Sequence, residues 1–219
     1  MPTEVIEDYL KAIYQLQQQH GKVSTNHLAR RVKVTAASAT GMIKKLAEMN
    51  LVTYQPYQGV RLTKAGEKIA LEVIRHHRLI ELFLAEALGV PWDKVHDEAE
   101  RWEHVLSEEV EDRIDQLLGY PTHDPHGSPI PDREGNMARR SSLSMAELKT
   151  DQCGTIVEVS DQDPELLRYL GSMGLYPNVE FRVIEVAPFD GPITIEVQKQ
   201  AFTIGRQVAQ QIFVQLTYS

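Results

Sequence analysis

The ten residues Val95–His104, VHDEAERWEH, carry two histidines and three glutamates. Successive residues of an α-helix are about 100° apart, so His96, Glu100, Glu103 and His104 fall within one arc of about 100°. Four groups able to ligate a metal therefore share a helix face. A charge run is usually a solvated face. Imidazole and carboxylate at i, i+4, i+7 and i+8, however, are what a metal site on a helix requires. His77 and Glu81 repeat the device at i, i+4 on the preceding helix.

Asp8, far away in sequence, adds another carboxylate. The set Asp8, Glu100, Glu103 and His104 offers hard oxygen and one imidazole, which suits Mn²⁺ or Fe²⁺ better than a thiolate-dependent metal. His76 points about 100° away from His77 and reads as surface, as do His20 and His27. His123 and His126 lie in a proline-rich loop and read as structural. Trp92 and Trp102 read as core or dimer interface, and Cys153 as an inert small residue.

The elements that must position these groups follow from periodicity and punctuation. A first helix reads from Pro2 to Gln19, with Val5, Tyr9, Ala12, Ile13 and Leu16 as its apolar stripe and Gly21 as its stop. Ser24 or Thr25 caps a second helix through LARRV, and Thr35 caps a third that runs to about Met49. Leu51–Tyr54 and Val60–Thr63 read as short strands around QPYQG, with Pro56 and Gly59 as turn residues. This order is a winged helix-turn-helix. Helices over about Lys64–Leu88, Asp93–Glu103 and Ser107–Leu118 follow. Pro121–Ala138, with four prolines and two glycines, is loop. Beyond a linker, Thr155–Val159, Glu180–Val186, Ile193–Val197 and Gln207–Leu216 are β-rich, and DPELLRYLGSMGL between them reads as a short helix. Such short strands point to a small SH3-like barrel.

The expected fold is therefore mainly α plus β in three parts. Residues 1–73 form the winged helix, 74–140 an all-helical domain, 141–149 a linker and 150–219 the SH3-like domain. The 219 residues are enough for this division. Net charge runs from +4 over residues 1–73 to −8 over 74–148 and −4 over 149–219. A basic front on an acidic body suits a polyanion at one end and cations in the middle. One cysteine excludes an internal disulfide and a cysteine-rich zinc module, and fits a reducing cytoplasm. The N-terminal sequence lacks the pattern of a signal peptide. The apolar stretch Leu79–Val90 is broken by Glu81 and Glu86 and is too short to span a bilayer, so no membrane partner is expected.

The third helix opens with small residues, Thr35, Ala36, Ala37, Ser38, Ala39 and Gly41. These let a helix sink into a major groove, where hydroxyls and methyls touch base edges. Lys44 and Lys45 are placed for phosphates, and Thr25, Tyr57 and Arg61 for the backbone. The scarcity of long polar side chains at the helix start predicts limited direct base readout, with DNA shape and dimer spacing sharing the specificity.

With EDYLKAIY at 7–14, HHRLIELFL at 76–84, VHDEAERWEHVLSEEVEDRI at 95–114 and HDPHGSPIP at 123–131, the chain resembles the diphtheria-toxin-repressor family of bacterial metal-dependent transcriptional repressors, including its manganese-regulator branch. The resemblance covers nearly the whole chain. It implies a winged helix, a helical dimerisation domain and a C-terminal SH3-like domain. It also implies a primary regulatory metal site at Asp8, Glu100, Glu103 and His104, and an ancillary site at His77, Glu81 and His96. Gln162 and Glu165 of the SH3-like domain would complete the ancillary site, with Asp161 or Asp163 as alternatives. Where iron-selective members carry methionine and cysteine, this chain has Asp8 and Glu100, both harder ligands, which favours Mn²⁺ over Fe²⁺. Lys11 stands where short manganese regulators have a further glutamate. An ammonium cannot ligate, so two separated ions per chain are expected rather than a close pair.

The resemblance implies a cytoplasmic homodimer that binds a palindromic double-stranded operator when metal is plentiful and represses metal-uptake genes. Fe²⁺-activated repression of iron uptake is the alternative. Two other classes compete with a metal-activated repressor: a carboxylate–histidine metalloenzyme, and a regulator of an organic ligand whose acidic face is merely solvated. The chain offers no separate nucleophile or base pocket, and a winged helix would be unexplained in an enzyme.

Overall fold

Caps and stop residues set most of the helix limits in the computed structural model, which describes residues 3–55, 58–138 and 143–217, the side chain of His20 excepted. Two compact units result: Met1–His77 with Trp102–Ser107 and Pro131–Asn136, and Arg78–Arg101 with Glu108–Ile130 and Met137–Ser219.

In the first unit, α1 (Glu4–His20), α2 (Thr25–Arg31) and α3 (Ala36–Glu48) precede the antiparallel hairpin of β1 (Val52–Gln55) and β2 (Gly59–Leu62). Ser24 Oγ accepts from His27 N and Thr35 Oγ1 from Ser38 N, each satisfying a helix-start amide that has no partner within the helix. Ile6, Tyr9, Leu10 and Ile13 of α1 are buried, as are Leu28 of α2 and Ala39, Ile43 and Leu46 of α3. Val5, expected in the stripe, is half exposed, and Ile6 and Leu10 take the buried face instead. Helix α4 (Lys64–Glu86) contributes its first part, through His77, to this unit.

The second unit holds the rest of α4, α5 (Val95–Trp102, except its last residue) and α6 (Glu108–Leu117). A 3-10 turn at Met145–Glu147, closed by a Ser144–Glu147 capping box, leads into the SH3-like part. There β3 (Cys153–Val159), α7 (Pro164–Ser172), β4 (Glu180–Val186), β5 (Ile193–Val197), β6 (Gln200–Ile204), α8 (Arg206–Ala209) and β7 (Ile212–Leu216) follow. All pairings are antiparallel, in the order β6-β5-β4-β3-β7. Ile156, Val183, Ile195 and Val214 from the strands and Leu167 and Leu170 from α7 fill one apolar core. Two features depart from expectation. Strand β6 was not foreseen, and Gln207–Leu216 is a short helix followed by a strand rather than one strand.

Candidate metal centre

The residues expected to contact DNA lie in the first unit. Ala39, Ile43 and Leu46 anchor α3 on its buried side, while Thr35, Ala37, Ser38, Gly41, Lys44 and Lys45 are exposed. Arg61 is exposed on β2, and Thr25 is half-buried at the start of α2. Tyr57 and the turn residue Pro56 lie outside the described residues.

In the first unit, one face of α1 carries Glu7, Asp8 and Lys11, α4 brings His76 and His77, and the turn after α5 brings Glu103 and His104. The Glu103 side chain is wholly buried. A buried carboxylate is costly unless paired. Lys11 supplies the pairing, its ammonium donating to both Glu103 oxygens at 2.8 Å. His77 Nδ1 closes on Glu103 Oε2 and lies 3.4 Å from Lys11 Nζ. His76 Nδ1 donates to the Glu103 backbone carbonyl at 3.0 Å. His76, expected on the surface, is therefore buried and holds the turn that presents Glu103.

His104 sits among three carboxylates. Its Nδ1 donates to Glu7 Oε2 at 2.6 Å, and its Nε2 donates to Asp8 Oδ1 at 3.0 Å and lies 3.5 Å from Glu103 Oε1. Burial alone would lower its pKa. The Glu7 hydrogen bond and the charges of Glu103, Asp8 and Glu7 outweigh that and raise it above the ordinary 6.5. Donor atoms of Asp8, Glu103 and His104 lie within 4.8 Å of one another. Two oxygens and one nitrogen, with no thiolate, form a hard donor set that fits a divalent cation. Sequence reading missed Glu7, although Glu7 and Lys11 share a face of α1 at i, i+4.

The second unit gathers another set. Glu81, fully buried on α4, has Oε1 3.1 Å from His96 Nδ1 on α5. Glu100 is exposed on the same helix, its Oε1 3.8 Å from His96 Nε2. Asp161 offers an oxygen within 4.8 Å of Glu81 and His96 donors. Of the two SH3-like residues favoured from the sequence, Gln162 is exposed and donates to Asp161 Oδ1 at 2.6 Å. Glu165 is exposed in the first turn of α7, its amide capped by Asp163 at 2.8 Å.

The proline-rich loop adds buried groups to this unit. Asp124 Oδ1 accepts from the amides of His126 (2.8 Å) and Ser128 (2.9 Å). Asp124 is pushed up to about 7, first by burial and then by the charge of Glu81, against the pull of Arg78 and His126. Gly127 (φ +87°) lets the loop touch β3, because a Cβ there would stand 2.0 Å from Val157 O.

Residues 1–60 match the iron dependent repressor N-terminal DNA binding domain, 63–132 the iron dependent repressor metal binding and dimerisation domain, and 143–216 the FeoA domain. The chain is 31% identical over 191 residues to the diphtheria toxin repressor of Corynebacterium efficiens, covering 83% of each chain. It is 29% identical over 224 residues to the iron-dependent repressor IdeR of Mycobacterium leprae, covering 97% of each. Among solved structures it is similar to a manganese-dependent transcriptional repressor in complex with manganese (39% identity, TM-score 0.90, 97% of this chain and 100% of that one). It is also similar to the manganese regulator SloR (33% identity, TM-score 0.79, 99% and 100%). No helix among the described residues is long and apolar enough to cross a membrane. With a winged helix, a helical dimerisation domain and an SH3-like FeoA domain in this order, the chain belongs to the diphtheria-toxin-repressor family of metal-dependent transcriptional repressors.

Proposed function

We propose that this chain is a Mn²⁺-activated cytoplasmic repressor that binds a palindromic operator as a homodimer and silences metal-uptake genes. The observation that carries the reading is the convergence of Asp8, from the DNA-binding domain, with Glu103 and His104 beyond α5. The absence of a thiol from this set, together with the manganese-dependent repressors among the structural relatives, favours Mn²⁺ over Fe²⁺.

A bound divalent cation supplies positive charge that neutralises these carboxylates. Asp8 stands on α1, which packs on α2 and β2. Glu103 and His104 hold it from the other side, and Glu100 is assigned to the same set from the family pattern. Fixing α1 fixes the spacing of the two recognition helices of a dimer, which must match operator half-sites one helical turn or a multiple apart. Since the DNA-competent state binds metal better, operator DNA tightens metal binding by the same factor. We assign the ancillary position to His77, Glu81 and His96. Asp161 is a better SH3-like donor there than Gln162 or Glu165, because it stands with Glu81 and His96.

Fluorescence anisotropy with promoter DNA from metal-uptake genes tests this, comparing Mn²⁺, Fe²⁺, Zn²⁺ and chelator. Mn²⁺ should tighten binding at least about 10-fold, a coupling of about 1.4 kcal/mol. Asp8→Ala should remove that dependence, and unchanged metal dependence in Asp8→Ala would sink the clamp. Activation by Fe²⁺ and not Mn²⁺ would select the iron reading, which the iron-dependent relatives favour.

A further inference from the structure

Three side chains of α1, Glu7, Asp8 and Lys11, reach the turn after α5, and a cation would act on them differently. His104 gives Nδ1 to Glu7, so Nε2 is the nitrogen left for a cation. Its contact with Asp8 gives way when both groups ligate. Lys11 is no ligand, because an ammonium has only donors. Glu103 divides its oxygens between the two sides. Oε1 lies 3.5 Å from His104 Nε2, whereas Oε2 closes on His77 Nδ1. A cation held by Asp8 and His104 would take Oε1 and leave Oε2 to Lys11.

The lysine pair is placed to bear load. The Lys11 side chain is 8% exposed and that of Glu103 0%, so salt screens their attraction little. His76 holds the Glu103 carbonyl at 3.0 Å, which fixes the turn behind the carboxylate. On its other side α1 is fastened to the DNA-binding elements. Arg31 Nη2 of α2 donates to Gln15 Oε1 at 2.6 Å, and the Leu62 amide of β2 donates to Gln17 Oε1 at 2.8 Å. Helix α2 packs in turn on α3. Holding Lys11 against Glu103 therefore holds the recognition helix, with protein groups alone.

We propose that Lys11 is a resident cation that clamps the DNA-binding helices to the turn after α5 with or without metal, and so gives the metal-free chain a basal operator affinity. This rests on the reading of the chain as a metal-activated repressor. Two cations then divide the work. The ammonium ties α1 to Oε2 at all times, and the divalent ion adds Asp8, His104 and Oε1 when it is plentiful. The DNA-competent state is already populated before metal binds, so metal raises operator affinity from a floor that Lys11 sets.

The test measures binding to promoter DNA of metal-uptake genes by fluorescence anisotropy, in chelator and at saturating Mn²⁺. It compares the full chain with Lys11→Met, Lys11→Arg, and Lys11→Met combined with Glu103→Gln. In chelator Lys11→Met should bind about 10-fold more weakly, yet at saturating Mn²⁺ it should stay within about 2-fold, so the metal response widens. Lys11→Arg should keep the basal affinity, since a guanidinium can donate to both carboxylate oxygens. The combined variant removes the tie without stranding a buried charge, and should show the same basal loss in a folded chain. Unchanged basal affinity in folded Lys11→Met and in the combined variant would overturn the clamp. So would a loss of equal size with and without Mn²⁺, the mark of general damage to the fold. Hydrogen exchange in chelator reads the tie without DNA: amides of α1 and residues 102–107 should exchange faster in the combined variant than in Lys11→Arg, and equal rates would refute it. Should the unsubstituted chain bind promoter DNA equally in Mn²⁺ and chelator, the metal-activated reading fails, and hydrogen exchange still decides the tie.

Discussion

Glu103 and Asp124 are both buried carboxylates in a protein built to respond to cations, yet their surroundings differ. Glu103 is compensated from within, by a lysine from α1 that donates to both of its oxygens. Asp124 is held by amides on one oxygen only, and its second oxygen has a guanidinium no nearer than 3.6 Å. In the first unit a tethered ammonium occupies the carboxylate that a metal would use. In the second, Asp124 has only loop amides on one oxygen and Arg78 beside the other. A metal at Glu103 would compete with a resident charge, whereas Asp124 answers its burial by holding a proton more tightly beside Arg78. The lysine paired with Glu103 would then set a threshold for response.

The comparison breaks most directly at the lysine pair. Glu103→Gln leaves a buried ammonium without its counter-ion and should cost about 3–5 kcal/mol in urea unfolding under chelation. It should also abolish metal-dependent operator binding. Lys11→Met should destabilise the metal-free chain as well, yet raise Mn²⁺ affinity about 10-fold or more in titration calorimetry, because the competing charge is gone. The double variant should recover much of the lost stability. Unchanged Mn²⁺ affinity in Lys11→Met would remove the tethered ammonium as a threshold.

A weaker effect should appear at Asp124. Its folded pKa of about 7 lies above the unfolded 3.8, so the fold holds this proton more tightly than the open chain does. The associated stability is fully present below about pH 4 and is lost as pH rises through about 7. Urea midpoints in chelator should fall over that range, and Asp124→Asn should flatten the profile. A profile that Asp124→Asn leaves unaltered would show that Asp124 carries no such proton.

His104 sharpens the contrast from the other unit. Its pKa is raised, so its carboxylate contacts stabilise the metal-free fold below pH 6.5 and lose that contribution as pH rises through the folded value. Metal requires the neutral ring, so protons compete for it. Mn²⁺ affinity should therefore weaken as pH falls through that value, by up to about 10-fold per pH unit for one competing proton. Affinity independent of pH would separate His104 from the metal. The smallest expected effect lies on α3. Lys44→Ala or Lys45→Ala should weaken operator binding a few-fold and reduce the log–log salt slope by about 1 each.

Much of this fold is legible in the chain because its signals are local. Ser24 and Thr35 mark helix starts by chemistry that acts within three residues. Strand β6 escaped because its hairpin turns on Gln198 and Lys199, at φ +50° and +67°, where a two-residue turn normally advertises itself by asparagine or glycine. Helix α8, four residues long, is too short to show a period.

The site divides in the same way. Spacing puts His96 and Glu100 on one face, and His77 and Glu81 on another. A helical wheel gives direction without saying what lies in that direction. His76 was misread for that reason, its burial depending on the turn at Glu103. Lys11 was visible only as a non-ligand, since pairing with a glutamate 92 residues away leaves no mark in sequence. Asp124 and His126 lie in a proline-rich loop without periodicity, where burial has no sequence signature.

Gly127 gives the proline-rich loop a further meaning. No side chain fits between it and the Val157 carbonyl, so the loop lies flush on β3 and the Val159 amide closes on His126 O. Loop and strand must then open as one cooperative unit. The imidazole of His126, buried beneath this contact, should therefore meet solvent no faster than this part of the SH3-like sheet opens.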